Sequence, residues 1–178
     1  MKTIAIYPGS FNPFTVGHQN ILEKAERIFG EGNVIIAVGI SPEKVAAISA
    51  EELKVIADGK SRIIRQQLPS KKVEWYIGFL TEYVRQKEDE GYNVVVIRGL
   101  RNGHDFDYEY NQTRYMWDQM PSLNIVCIFC DPVYMHVSSS AYRALEKVKP
   151  GAGHKYLAKD KGPNYEKEVI DLDEDIRI

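Results

Sequence analysis

The stretch Thr3-Ile4-Ala5-Ile6-Tyr7-Pro8-Gly9-Ser10-Phe11-Asn12-Pro13-Phe14-Thr15-Val16-Gly17-His18 starts as a short β-like run, breaks at a proline and a glycine, and reaches a helix start within one loop. The helix reads Gly17 to Phe29, with Ile21, Leu22, Ala25, Ile28 and Phe29 on one stripe and Gly30 as its C-terminal cap. The same alternation continues down the chain. Asn33 to Gly39 is a strand, continuously apolar from Val34 to Val38, as expected of a strand covered on both faces. Ser49 with Glu52 three residues on forms a capping box for a helix running to about Gln67. Lys72 to Tyr76 and Asn93 to Ile97 read as strands, with a helix from Leu80 to Glu88 between them. A helix from Asp105 to Gln119, a strand from Asn124 to Cys130 and a helix from Ser138 to Val148 complete the pattern. Strand and helix take turns throughout, which predicts an α/β fold: a doubly wound, five-stranded parallel sheet with helices on both faces.

The chain has 178 residues, 44% of them hydrophobic and 27% charged, an ordinary globular composition that calls for one domain. We place that domain at residues 1–149. A C-terminal extension, residues 150–178, turns lysine-rich, glycine-rich and then acidic, and is expected to pack on the domain or to be partly mobile. A formal charge of −2 gives no global attraction to nucleic acid or to anionic lipid, and neither is expected as a partner. The longest apolar runs, such as Val94 to Ile97 and Ile125 to Cys130, are strand-sized, far short of the roughly 18 to 20 residues of a membrane span. The amino terminus lacks the pattern of a cleavable leader, so a cytoplasmic location is expected. Cys127 and Cys130 have C-x-x-C spacing but fall inside an apolar strand, where residues three apart point to opposite faces. No second Cys or His pair completes a zinc shell, and two buried or half-buried free thiols are expected.

In an open α/β sheet the ligand lies beyond the carboxyl ends of the strands. The segments there are unusual. Two prolines and two glycines make the first loop rigid, and Gly17-His18 opens a helix whose free N–H groups attract anions. Arg98-Gly99-Leu100-Arg101 follows the fourth strand, and its two guanidinium forks match phosphate geometry. Tyr134-Met135-His136-Val137-Ser138-Ser139-Ser140 follows the fifth, with hydroxyls at a helix start forming a second anion cradle. Lys44, after the second strand, supplies another cation at the same edge. Gly59-Lys60-Ser61 resembles the end of a P-loop, but Lys54 stands where the first glycine is needed and the tripeptide lies in a helical pattern. Gly30 and Gly32 lie between a helix and a strand, the reverse of a dinucleotide fingerprint. No Ser/His/Asp triad is evident, and His18, His104, His136 and His154 have no spacing suited to one metal, so no protein metal site is expected. Such an inventory suits a reaction in which the substrates supply the nucleophile.

These residues resemble a known group. Thr15-Val16-Gly17-His18 looks like the T/H-x-G-H motif, and Val137-Ser138-Ser139-Ser140-Ala141-Tyr142-Arg143 like the I-S-S-x-x-x-R motif, of the nucleotidyltransferase superfamily. With Ser41-Pro42-Glu43-Lys44, Gly78-Phe79-Leu80-Thr81-Glu82-Tyr83-Val84, Arg98-Gly99-Leu100-Arg101 and Asp105-Phe106-Asp107-Tyr108-Glu109, the match is closest to the bacterial phosphopantetheine adenylyltransferases, over about residues 1–148. The resemblance implies a Rossmann-like nucleotidyltransferase fold and transfer of an adenylyl group from ATP to 4′-phosphopantetheine, giving dephospho-coenzyme A and pyrophosphate. It implies Mg²⁺ held mainly by ATP phosphates, and a homo-oligomer, commonly a hexamer. It also implies that Ser10 and His18 contact phosphate at the reacting centre and that Lys44 and Arg98 hold the phosphate of the acceptor, with Leu80 on the pantetheine arm. Phe11, Gly99, Leu100, Arg101 and Glu109 would line the ATP site, and Tyr134, Val137, Ser138, Ser139 and Ser140 its triphosphate end.

The chain departs from the family's usual pattern at Ser10, where threonine is common, at Asn12, where aspartate is common, at Asn102-Gly103-His104 and beyond Gly151. Two other readings remain open. One is a nucleotidyltransferase using nicotinate mononucleotide, or CTP with an alcohol phosphate. The other is a non-catalytic nucleotide-binding module.

Overall fold

The computed structural model describes residues 1–41 and 48–160. Five parallel strands, β1 (Lys2–Gly9), β2 (Val34–Ile40), β3 (Lys72–Ile77), β4 (Tyr92–Leu100) and β5 (Asn124–Phe129), lie in the order β3-β2-β1-β4-β5. The helices are α1 (Val16–Phe29), α2 (Ala50–Gln67), α3 (Leu80–Asp89), α4 (Gly103–Gln119) and α5 (Ser139–Val148). The expected α/β fold, doubly wound, is the observed one.

Period two in the strands sorts the core into two layers. Ala5, Tyr7, Val34, Ile36 and Val38 face α1 and α2, meeting Ile21, Leu22, Ala25 and Ile64. Ile4, Ile6, Ile35, Ala37, Val94 and Val96 face α3 and α4, meeting Leu80, Tyr83, Val84, Met116 and Met120. Strand order reverses at β1, since β2 and β4 lie on either side of it. The crevice therefore opens where the carboxyl ends of β1 and β4 part.

Four expectations need adjusting. β4 runs on through Arg98 and Gly99 to Leu100, so the first arginine belongs to the strand and not to the loop after it. Pairing with β5 carries it that far: Arg98 stands opposite Cys127 and Leu100 opposite Phe129. Ile28 is 61% exposed while Phe29 beside it packs on the core, because position 28 lies at the outer edge of the apolar stripe of α1. Cys127 is exposed on the edge strand while Cys130 is buried, and both are free thiols. Lastly, α1 begins one residue early, at Val16, with Thr15 as its cap.

Past α5 the chain folds back. Leu157 forms an antiparallel bridge with Thr15, and Ala158 is buried in the core layer beside α1. Among the described residues no helix is long and apolar enough to cross a membrane.

Candidate functional site

β1 ends at Gly9, and the loop after it is shaped by an aromatic side chain folding back. Phe11 has φ of 41°, a strained backbone for a bulky residue, and its ring is packed 5.3 Å from that of Tyr7 and 4.9 Å from that of Phe14. The ring covers Gly9 so closely that a Cβ there would stand 2.7 Å from it. From the other side α5 grips the loop: Ser139 Oγ donates to the Pro13 carbonyl at 2.8 Å and Arg143 donates to the Asn12 carbonyl.

The loop ends in a capping box with an imidazole in it. Thr15 Oγ1 accepts from the His18 backbone N–H, and His18 Nδ1 accepts from the Thr15 N–H at 3.0 Å. With Nδ1 acting as acceptor, the ring proton of the neutral form sits on Nε2, the nitrogen left to the cleft. Burial lowers the His18 pKa from 6.5 to about 4, with the nearby Arg101 charge acting in the same direction. Near neutral pH the ring is an uncharged donor.

His18, Ser10, Phe11, Arg98 and Glu109 line a cleft of about 370 Å³. An adjoining hollow of about 280 Å³ is lined by Gly99, Leu100, Arg101, Val137 and Ser138. Tyr7, His18, Gly99, Tyr108, Glu109 and Ser139 belong to both, which makes them one site at the β1/β4 switch point. Gly99 lets α1 approach, since a Cβ there would lie 3.0 Å from the Ile21 side chain.

The charges are more balanced than the pair of arginines suggests. Arg101 is tied to Asp105 by two side-chain hydrogen bonds at 2.8 and 2.9 Å. Arg98 Nε lies 3.2 Å from Glu109 Oε2, yet both atoms are buried without an aligned hydrogen bond. Arg98 also donates to the Met116 sulfur at 3.3 Å, a weak acceptor. Burial pushes the Glu109 carboxyl above its usual range, an effect that Arg98 opposes.

The three serines divide their work. Ser138 caps α5 by accepting from the Ala141 N–H at 3.0 Å, Ser139 holds Pro13, and Ser140 meets Arg143 at 3.2 Å and lines neither cavity. Tyr134 packs against the core and also stays outside both cavities. Leu80 is buried in the layer under α3 and α4, sharing that layer with Met116, and does not reach the cleft. Lys44 lies outside the described residues. Tyr7, Tyr108 and Gln112 line the cleft without having been singled out in the sequence. Tyr7 was the findable one, because a tyrosine alternating with core residues at the carboxyl end of a central strand aims its hydroxyl at the site. It is 4% exposed.

Residues 6–145 match the cytidylyltransferase-like family model. The chain is 35% identical over 147 residues to the phosphopantetheine adenylyltransferase of Leptospira biflexa, covering 83% of this chain and 86% of the relative. It is 33% identical over 141 residues to the enzyme of that name from Clostridium novyi, covering 79% and 81%. In shape it is similar to the crystal structure of a putative nicotinate-nucleotide adenylyltransferase from Vibrio parahaemolyticus, at a TM-score of 0.53 and 16% identity over 96% of this chain and 93% of that one. That last likeness concerns the fold.

Proposed function

Since this chain belongs to the cytidylyltransferase-like family, among its phosphopantetheine adenylyltransferases, we propose that it transfers the adenylyl group of ATP to 4′-phosphopantetheine, releasing dephospho-coenzyme A and pyrophosphate. One observation carries the reading: His18, Ser10, Arg98 and Glu109 line a single cleft at the point where the strand order reverses.

The acceptor's phosphate already bears the nucleophilic oxygen. A bond forms from that oxygen to the α-phosphorus of ATP, and the bond from that phosphorus to the bridging oxygen of the β-phosphate breaks, so the electron pair leaves with pyrophosphate. No covalent enzyme intermediate is required. The protein's task is alignment and charge stabilisation. Nε2–H of His18 donates to a non-bridging oxygen of the α-phosphoryl group as its charge grows. Because the ring is neutral, it needs no proton from solution to do so. Arg98 takes the acceptor phosphate, exchanging its misaligned contact with Glu109 and its weak contact with the Met116 sulfur for a phosphate oxygen. Lys44 adds a second charge to that phosphate. Ser10, Phe11, Gly99, Leu100, Arg101 and Glu109 surround the nucleotide. Val137 and the α5 start at Ser138 and Ser139 take the triphosphate end.

Among the described residues no three His, Cys, Asp or Glu side chains gather as a metal site, and Asp105 and Glu109 are both engaged with arginines. These residues fit a Mg²⁺ that would be carried by the triphosphate and would supply neutralisation of charge on the leaving group. A cytoplasmic enzyme and a homo-oligomer, a hexamer, complete the reading. The exposed Phe129, Val133, Met135, Leu145 and Val148 around β5 and α5 support an assembly.

The test is an acceptor panel. Purified protein with ATP and Mg²⁺ should release pyrophosphate with 4′-phosphopantetheine and not with nicotinate mononucleotide. Turnover with the latter alone would move the chain to another nucleotidyltransferase activity, and ATP binding without turnover on any acceptor would make it a binding module.

A further inference from the structure

The segment after α5 is anchored at both ends. At its start the Glu146 carboxylate accepts the backbone N–H groups of Gly151 at 2.8 Å and Gly153 at 2.7 Å. At its far end Gln19, 5% exposed, donates through Nε2 to the Lys159 carbonyl at 2.7 Å and accepts the Lys159 N–H at 3.1 Å. Between the two, Leu157 pairs with Thr15, and Ala158 N–H donates to the Phe14 carbonyl at 3.2 Å. This segment lies beyond residue 145, where the match to the family model ends.

The position of these bonds matters more than their number. The Phe14 carbonyl and the Thr15 N–H are the two ends of one peptide group, which is planar. Ala158 holds the oxygen, and the hydrogen points at Nδ1 of His18. A contact that fixes one end of a plane fixes the direction of the other. Hydrogen bonds in series through one peptide group also polarise each other. Gln19 follows His18 directly in the chain and locks the other side of the same helical turn. For packing alone an apolar side chain would fill a buried site on α1 at less cost, whereas an amide that uses both its ends sets direction and register.

We propose that Gly151–Lys159 is a strap that positions the His18 imidazole for the reaction, with Gln19 and the Phe14–Thr15 peptide group as its points of grip. Gln19 is thus a positioning residue. The inference rests on the adenylyltransferase reading only for its kinetic arm.

The test is Gln19→Leu in the full-length chain. Turnover should fall about tenfold while KM for ATP and for the acceptor shifts less than about twofold, because an interaction expressed in the transition state is what is lost. In a His18→Ala background the same substitution should bring no further fall, since the two residues act as one unit. A readout independent of turnover is the titration of the His18 ring by NMR. It should move from near 4 toward the unperturbed value as the turn loosens. An unchanged turnover, or an equal loss with and without His18, overturns the strap. If Gln19→Leu fails to fold, Gln19→Met gives the same readouts, because it keeps the length of the side chain, adds no charge beside His18 and loses both bonds to Lys159. If the wild-type protein turns over no acceptor, the functional reading falls and the ring titration alone decides the strap.

Discussion

The backbone N–H of Thr15 meets Nδ1 of His18 at 3.0 Å, in the hydrogen-bond pair that starts α1. The group that stops the helix fraying is therefore the group that faces the cleft, and its proton is assigned to Nε2 by the same contact. Helix capping and cleft lining share one side chain.

His18→Ala should lower turnover by roughly 10² or more, the scale of losing one pre-aimed donor. It should also cost about 1 kcal/mol of stability, because the reciprocal half of a helix cap is lost. Pyrophosphate release and urea melts measure the two effects. Turnover within a factor of two of wild type would remove His18 from the reaction.

The pH dependence has a definite sign. The His18 pKa is lower in the folded protein, about 4, than in the unfolded chain, so the unfolded state binds more protons in between. The contribution is fully present above about 6.5 and is lost as pH falls toward 4, with a slope approaching about 1.4 kcal/mol per unit in that window. His18→Gln should lose stability less steeply between pH 6.5 and 4 than wild type, in parallel urea titrations. Parallel curves would show that the ring is not held neutral.

Tyr7→Phe removes a hydroxyl at the cleft and keeps the ring that packs against Phe11 and Phe14. Burial pushes the phenol pKa up, so the group stays a donor, suited to a phosphate or ribose oxygen. The variant should be at least as stable as wild type and bind ATP about tenfold more weakly, the scale of one hydrogen bond to a charged group. Equal ATP affinity by calorimetry would count against a ligand contact.

Two glycines make an internal control. Gly9→Ala drives a methyl group into the Phe11 ring and should cost about 1 to 3 kcal/mol, the range for forced overpacking. Gly32→Ala meets nothing within 4 Å and should be within about 0.5 kcal/mol of wild type, as surface changes usually are. Thermal melts compare them. Equal effects would mean that the Phe11 ring does not rest on Gly9.

Much of this fold is legible because its signals are local. Ser49 and Glu52 are three residues apart and cap α2 in the expected way, at 3.3 and 3.0 Å. The run Val34 to Val38 is a central strand because both its faces are covered. What the sequence hides is pairing between distant elements. Arg98 reads as a guanidinium fork for phosphate, but its partner Glu109 arrives one helix later and is brought to it by the packing of α4 on the sheet. Cys127 reads as buried or half-buried because its neighbours are apolar, yet β5 is an edge strand and the residue is open. The grip of Lys159 on Gln19 spans 140 residues and leaves no periodic trace. His18 could be found as a site residue from its place at a helix start, but its tautomer needed the Thr15 N–H in view.

The capping box has one further consequence, for anyone seeking a more heat-resistant version of this protein. At the third helical position the side chain that best completes such a box is glutamate. Putting it at His18 would strengthen the helix start and, on the reading above, silence the enzyme. The first turn of α1 is thus a place where robustness and turnover pull in opposite directions. Gains in melting temperature must come from elsewhere in the chain.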